Sequence, residues 1–305
     1  MPFSVGVDLG GTKIAAVLVD ETLEVISFEK IAVDSSRDVN TVIRQVGDLA
    51  ARFLEKIPPQ EETTGLGLSF PGLLDLERER LVFSENLNWR DIPVGEMIRS
   101  VIKTPFFLEH DVRCGAIAEL HYGAGKAFQD LVYVSVGTGI SGILVWKRRI
   151  IRGAHGVSAE LGHTVIEPGG PLCRCGNHGC LEALASGSAL EREAFHVSRK
   201  PVRGEDVLTK ARKGEFPFTA IAGRAGYYLA LGLANLAEIF DPEVIILGGG
   251  VIEAGQFFID LVCRSLKTHR FGLGTAPRIL PGRFKGKASV MGAAAIPLLK
   301  REGVL

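Results

Sequence analysis

The sequence predicts an α/β protein built on a duplicated unit, with a metal-binding loop in its second half. Three observations lead there. The segments GVDLGGTKIAAVLV at 6–19 and YVSVGTGISGILVW at 133–146 share one plan, an apolar strand, a Gly/Thr turn and a second apolar strand. A third glycine run, IILGGGV at 245–251, closes another apolar strand. His163, Cys173, Cys175 and Cys180 fall as H-x9-C-x-C-x4-C, the ligand inventory of a closed tetrahedral zinc site.

Each element has its own signal. Residues 3–20 read as strand, glycine turn, strand, because β-branched and apolar residues flank the turn on both sides. Between 40 and 57, Val42, Ile43, Val46, Leu49, Phe53, Leu54 and Ile57 keep helical spacing, which predicts an amphipathic helix. A strand is predicted at 65–69, ending at Pro71-Gly72. Further strands are predicted at 106–109, 131–136, 143–146 and 244–247, and helices at 94–102, 112–122, 223–240 and 256–269. Aligning Gly10 with Gly137 sets Asp8 opposite Ser135, so one unit carries an acid at its first turn and the other a hydroxyl.

The composition bounds the function. A chain of 305 residues with 46% hydrophobic content suffices for two domains or one large α/β unit. Thirty-five basic residues balance thirty-five acidic ones, so no global surplus favours nucleic acid. No apolar stretch approaches the ~20 residues of a membrane span, and MPFSVGVDLGGTK lacks the basic and long apolar regions of a signal peptide. With clustered thiols suited to metal, this predicts a soluble protein of the reducing cytoplasm, without membrane or nucleic-acid partners.

The glycine turns exclude two common readings. GTGISG at 137–142 satisfies G-x-G-x-x-G, but a dinucleotide-binding unit needs a helix after the glycines, and ILVW is a strand. LGGTK is not the phosphate loop GxxxxGK[ST]. Backbone N–H groups at Gly10, Gly11 and Thr12 can still form an anion nest. Lys13 either adds charge there or is solvated at the start of a strand. Asp8 suits a magnesium ion with its water shell, a pairing that fits a nucleotide triphosphate.

Three of the five cysteines lie within eight residues. An odd number, with a C-x-C pair ill-placed to bridge itself, disfavours disulfides. All four ligands come from the chain, which predicts a structural rather than a catalytic zinc. Glu160 precedes the first ligand by three residues and Glu182 follows the last by two. They are either ordinary surface charge or acceptors held in place by the metal loop, 160–182.

DLGGTK at 8–13, SFPG at 69–72, Asp111 before a small-residue helix, ELGH at 160–163, CRCGNHGCLE at 173–182 and LGGGV at 247–251 occur in one order. Together they resemble the ROK family (repressor, open reading frame, kinase), and within it the glucokinase-type sugar kinases. The resemblance covers essentially the whole chain. It implies a duplicated actin-like (ribonuclease H-like) fold of two lobes with an interlobe cleft. One lobe would span 1–111 plus 288–305, since SVMGAAAIPLL is too apolar for a free tail, and the other 112–287. It implies a homo-oligomer, dimer or tetramer, and an ATP-dependent hexose kinase acting on the 6-hydroxyl of glucose. The alternatives are an N-acetylhexosamine kinase or, further off, a non-catalytic sugar sensor. The family's repressors carry a helix-turn-helix domain before DLGGT, whereas seven residues precede Asp8 here.

The resemblance also implies roles. Asp111 would be the general base, although taken alone it reads equally as the N-cap of a helix from Val112. Gly72, His110, Asp111, Glu160, His163 and Glu182 would bind the sugar, with SENLNW at 84–89 nearby. His163 would serve both zinc and sugar. Asp8, Gly10, Gly11, Thr12 and Lys13, with Gly137, Thr138 and Gly139, would hold the phosphates and Mg2+. Gly248, Gly249 and Gly250 would lie near the adenosine. The family's sugar kinases usually have Asn where this chain has His110.

Overall fold

A computed structural model describes residues 2–269, 271–272 and 276–305. The chain divides into two compact units. The first contains the residues up to Gly123, then Arg152–Val157 and Lys287–Leu305; the second contains Ala124–Ile151 and Ser158–Gly286.

In the first unit, strands β1 (Pro2–Leu9), β2 (Lys13–Val19), β3 (Val25–Ala32), β4 (Glu62–Phe70) and β8 (Phe106–His110) form a sheet in the order β3-β2-β1-β4-β8. β1, β2 and β3 make an antiparallel meander, while β4 and β8 run parallel to β1. Helix α1 (Val39–Leu54) buries Val42, Ile43, Val46, Leu49 and Phe53, and the Asp38 side chain caps its first turn by accepting from the Thr41 N–H. A small antiparallel sheet of β5 (Leu73–Asp75), β6 (Arg80–Ser84) and β7 (Trp89–Ile92) precedes helix α2 (Val94–Val101). Helix α3 (Asp111–Tyr122) follows β8 directly.

The C-terminal helix, Ala288–Arg301, packs against α3, β1 and β4. Its small residues allow backbone-to-backbone approach: a Cβ at Gly292 would overlap the Cys114 carbonyl, and one at Gly67 would overlap that of Ala293. This packing explains a departure from the expected lobe boundary at 111. The buried, small-residue stretch of α3 meets the C-terminal helix, so residues 112–123 belong to the first unit.

The second unit repeats the plan. Its sheet runs β11-β10-β9-β12-β13, from β9 (Leu131–Val136), β10 (Ile140–Trp146), β11 (Arg149–Ile150), β12 (Val244–Gly248) and β13 (Arg278–Pro281). Again three strands form an antiparallel meander and two run parallel to the first. Asp8 pairs across to Ser69, and Ser135 pairs across to Gly248, so the duplicated positions found by aligning Gly10 with Gly137 occupy matching registers. Helices α4 (Leu181–Ala185), α5 (Gly187–Ser198), α6 (Gly204–Arg212), α7 (Phe218–Phe240), α8 (Gly250–Glu253) and α9 (Gln256–Thr268) complete the unit. Helix α7 begins at Phe218 rather than at 223, since Phe218, Ile221 and Ala222 continue its buried face. The strand expected at 143–146 begins at Ile140, directly after the glycine turn. Among the described residues no helix is long and apolar enough to cross a membrane.

Candidate active site and metal centre

Parallel strands bring functional residues to one edge of the first sheet. β1, β4 and β8 share a direction, so their carboxyl ends place Asp8, Ser69 and Asp111 together, at the crevice where open α/β sheets bind ligands. The Ser69 hydroxyl donates to Asp8 Oδ1 at 2.5 Å. Burial pushes the Asp8 carboxyl up to about 7; the Ser69 hydrogen bond and Lys30 oppose the rise, and the Asp111 charge adds to it. The Gly10 N–H bonds the Lys13 carbonyl at 2.9 Å and closes the turn, leaving Thr12 and Lys13 exposed. Gly11 lies against Asn86 of the SENLNW segment, which Trp89 anchors by donating its indole N–H to the Arg37 carbonyl at 2.9 Å. Gly72, with φ +104°, sits where a Cβ would overlap the Phe83 carbonyl.

Asp111 opens α3 as its first helical residue, with His110 in the N-cap position. Its Oδ1 accepts the Val112 N–H at 2.8 Å, and His110 Nε2 lies 3.2 Å from the same oxygen. Behind this pair is a cluster that sequence reading missed. Glu109, 3% exposed, receives the Arg152 guanidinium at 2.5 Å and Arg113 at 3.5 Å, and Arg113 also donates to the Gly156 carbonyl. A buried carboxylate survives only with such partners. Arg113 stands four residues after Glu109, but the pair spans the end of β8 and the first turn of α3, so helical spacing gave no signal. Arg152 is too distant in sequence to give one.

In the second unit Ile140 is the meeting point. Its N–H donates to Glu182 Oε2 at 2.9 Å, and its carbonyl lies where a Cβ at Gly162 would overlap it. The glycine of ELGH is therefore a packing requirement, which sets Glu160 and His163 beside β10. The turn Gly137–Thr138–Gly139 is held from a second side by α5, whose Gly187 and Ser188 N–H groups donate to the Gly137 and Thr138 carbonyls at 2.8 and 3.3 Å. Gly249, with φ +89°, packs on Val136 from a third side, and Gly250 opens α8. The structure thus brings together Gly137, Thr138, Gly139, Glu182 and Gly248–Gly250. The carboxylate of Glu182, expected to bind sugar hydroxyls, caps the glycine turn.

His163, Cys173, Cys175 and Cys180 come together as a candidate zinc centre, their ligand atoms all within 4.8 Å of one another. Cys173 Sγ lies 3.6 Å from His163 Nδ1, and Cys175 Sγ 3.6 Å from Cys180 Sγ. A zinc tetrahedron with Zn–S bonds of about 2.3 Å needs sulfurs about 3.8 Å apart, so the spacing fits. Burial pushes the Cys180 thiol up to about 12 and raises Cys173, while the Asn177 N–H lowers Cys175. With Nδ1 among the thiols, Nε2 of His163 is left for a second partner.

The chain matches the profile of the ROK family over residues 4–300. It belongs to the ROK family. It is 31% identical to a glucokinase of Streptomyces coelicolor, with 96% of this chain and 97% of the relative covered. It is 29% identical to the xylose repressor of Bacillus subtilis, over 96% of this chain and 76% of the relative. The crystal structure of a ROK family glucokinase from Streptomyces griseus in complex with glucose and AMPPNP superposes with a TM-score of 0.81 at 28% identity, covering 96% of this chain and 98% of that one. The two matching sheets are those of the actin-like fold.

Proposed function

We propose that the protein is an ATP-dependent hexose kinase that transfers the γ-phosphate to the 6-hydroxyl of glucose. The observation that carries this reading is Asp111: a carboxylate at the carboxyl end of a parallel strand, with one oxygen fixed by its own helix. Its other oxygen is the acceptor for the hydroxyl proton. Phosphoryl transfer through a loose transition state asks chiefly for positioning and charge neutralisation, so a carboxylate of ordinary basicity suffices. Glu160, Glu182 and His163 Nε2 supply hydrogen-bonding groups for ring hydroxyls, and Gly72 offers its backbone to the sugar.

The two glycine turns cradle phosphates through backbone N–H groups, with Gly248–Gly250 near the adenosine. Asp8 fits a magnesium ion: its buried carboxyl, beside a second carboxylate, gains from a nearby cation. Magnesium would supply charge neutralisation at the phosphates. Zinc, held by His163, Cys173, Cys175 and Cys180, would fix the loop that carries Glu160 and Glu182 and take no part in the chemistry.

A second reading, a non-catalytic sugar sensor, draws on the likeness to the Bacillus subtilis xylose repressor. Coupled phosphorylation assays across glucose, mannose, N-acetylglucosamine and N-acetylmannosamine, with ATP, ADP or polyphosphate as donor, separate the readings. Turnover of a hexose with ATP is expected. Saturable sugar binding without turnover under any donor would favour the sensor.

A further inference from the structure

We propose that Tyr228 is a positioning residue for Glu182, acting through Glu167 and the base of the metal loop. The inference rests on the reading of Gly137–Thr138–Gly139 as a phosphate turn. The Tyr228 hydroxyl donates to Glu167 Oε1 at 2.7 Å, and both side chains are partly buried. That bond holds the phenol proton above its ordinary range, because a phenolate beside the carboxylate would lose the bond and be repelled.

Glu167 is where the two arms of the loop meet. The Ile166 and Glu167 N–H groups both donate to the Gly179 carbonyl, at 2.8 and 3.1 Å. Gly179, with φ +73°, sits where a Cβ would overlap the Glu167 carbonyl. The Leu181 N–H donates to the Thr164 carbonyl at 2.9 Å, so the pairing runs on to the residue before Glu182. Leu181 is fully buried and lies against Gly232 of α7. Tyr228 and Gly232 stand four residues apart, on one face of that helix. Helix α7 therefore receives the loop at two points, Glu167 by hydrogen bond and Leu181 by packing. Glu182 follows directly, and its carboxylate accepts the Ile140 N–H. Without the Tyr228 hydroxyl, the loop keeps one of these two anchors and can pivot about Leu181. The Glu182–Ile140 bond then loses its alignment, and hydrogen bonds weaken steeply as they bend.

The experiment uses the full chain. It compares wild type with Tyr228→Phe, Glu167→Gln and Glu167→Ala, and Glu182→Ala with and without Tyr228→Phe. Phe removes only the hydroxyl, and Gln keeps a carbonyl that accepts from it. AMPPNP Kd is measured by calorimetry without sugar. Amide exchange is followed at Ile140 and along β9, which lies between β10 and β12. Tyr228→Phe and Glu167→Ala are expected to raise AMPPNP Kd about 2- to 10-fold, the range for one hydrogen bond. Ile140 exchange should quicken while β9 keeps its wild-type protection, and Glu167→Gln should stay near wild type. In the Glu182→Ala background Tyr228→Phe should add nothing, because the group it positions is gone. Wild-type exchange at Ile140 in Tyr228→Phe would overturn the proposal. So would an undiminished loss in the Glu182→Ala background, or a Gln variant no better than Ala. Protection lost equally along β9 would make the bond a general support of the fold and overturn it too. If wild type binds no AMPPNP, the phosphate turn falls, and Ile140 exchange still decides the positioning role.

Discussion

Replacing Glu182 by Ala should loosen the Gly137–Thr138–Gly139 turn, the second of the two proposed to cradle phosphates. The carboxylate accepts one hydrogen bond, from the Ile140 N–H at 2.9 Å, and lies directly against Gly139. Ile140 is 3% exposed, so truncation leaves a buried donor without its partner. A hydrogen bond to a charged group contributes about 1.5–3 kcal/mol, and about 1.4 kcal/mol is tenfold in an equilibrium. If nucleotide binds only the capped turn, its Kd should rise by up to about 10- to 150-fold. Glu182→Gln keeps an uncharged acceptor, for which about 0.5–1.5 kcal/mol is expected, and should fall between. The assay is calorimetric titration with AMPPNP in the absence of sugar, alongside amide exchange at Ile140. AMPPNP affinity and Ile140 protection both unchanged in Glu182→Ala would refute the capping role and leave Glu182 to the sugar alone.

Other perturbations test other parts of the molecule. Gly292→Ala sets a methyl group into the Cys114 carbonyl, a backbone atom that cannot rotate away. It should cost roughly 1–3 kcal/mol, read as a lower urea midpoint; a wild-type midpoint would show that the C-terminal helix has room to shift. Cys175→Ala, which removes the exposed thiol of the four, should lower bound zinc from about one equivalent per chain and reduce stability and sugar affinity together. Protein purified without chelator that contains no zinc would exclude a structural zinc here.

What the sequence revealed follows the range of the interactions involved. The β1–β2 and β9–β10 hairpins, α1 and the metal loop are written locally, in alternation, helical spacing and ligand spacing. β3 was invisible because VISFEKIA mixes charged with apolar residues, as suits a largely exposed edge strand. The β5–β7 sheet escaped because its strands are short. The allegiance of α3 depends on contact with a helix at the other end of the chain, which no local pattern carries. The site divides in the same way. Asp111 and the zinc ligands stood out by motif. The Glu109–Arg113–Arg152 cluster and the Glu182–Ile140 bond appear only once distant segments are folded together.

The most direct test of the hexose kinase reading is phosphorylated product, identified by mass spectrometry, from glucose and ATP with wild type and Asp111→Asn. Wild type should accumulate hexose 6-phosphate. Asp111→Asn should lose about 100- to 10,000-fold in turnover, the range for a positioned general base, while still binding sugar. Absence of phosphorylated sugar with every hexose tried, or turnover in Asp111→Asn equal to wild type, would contradict it.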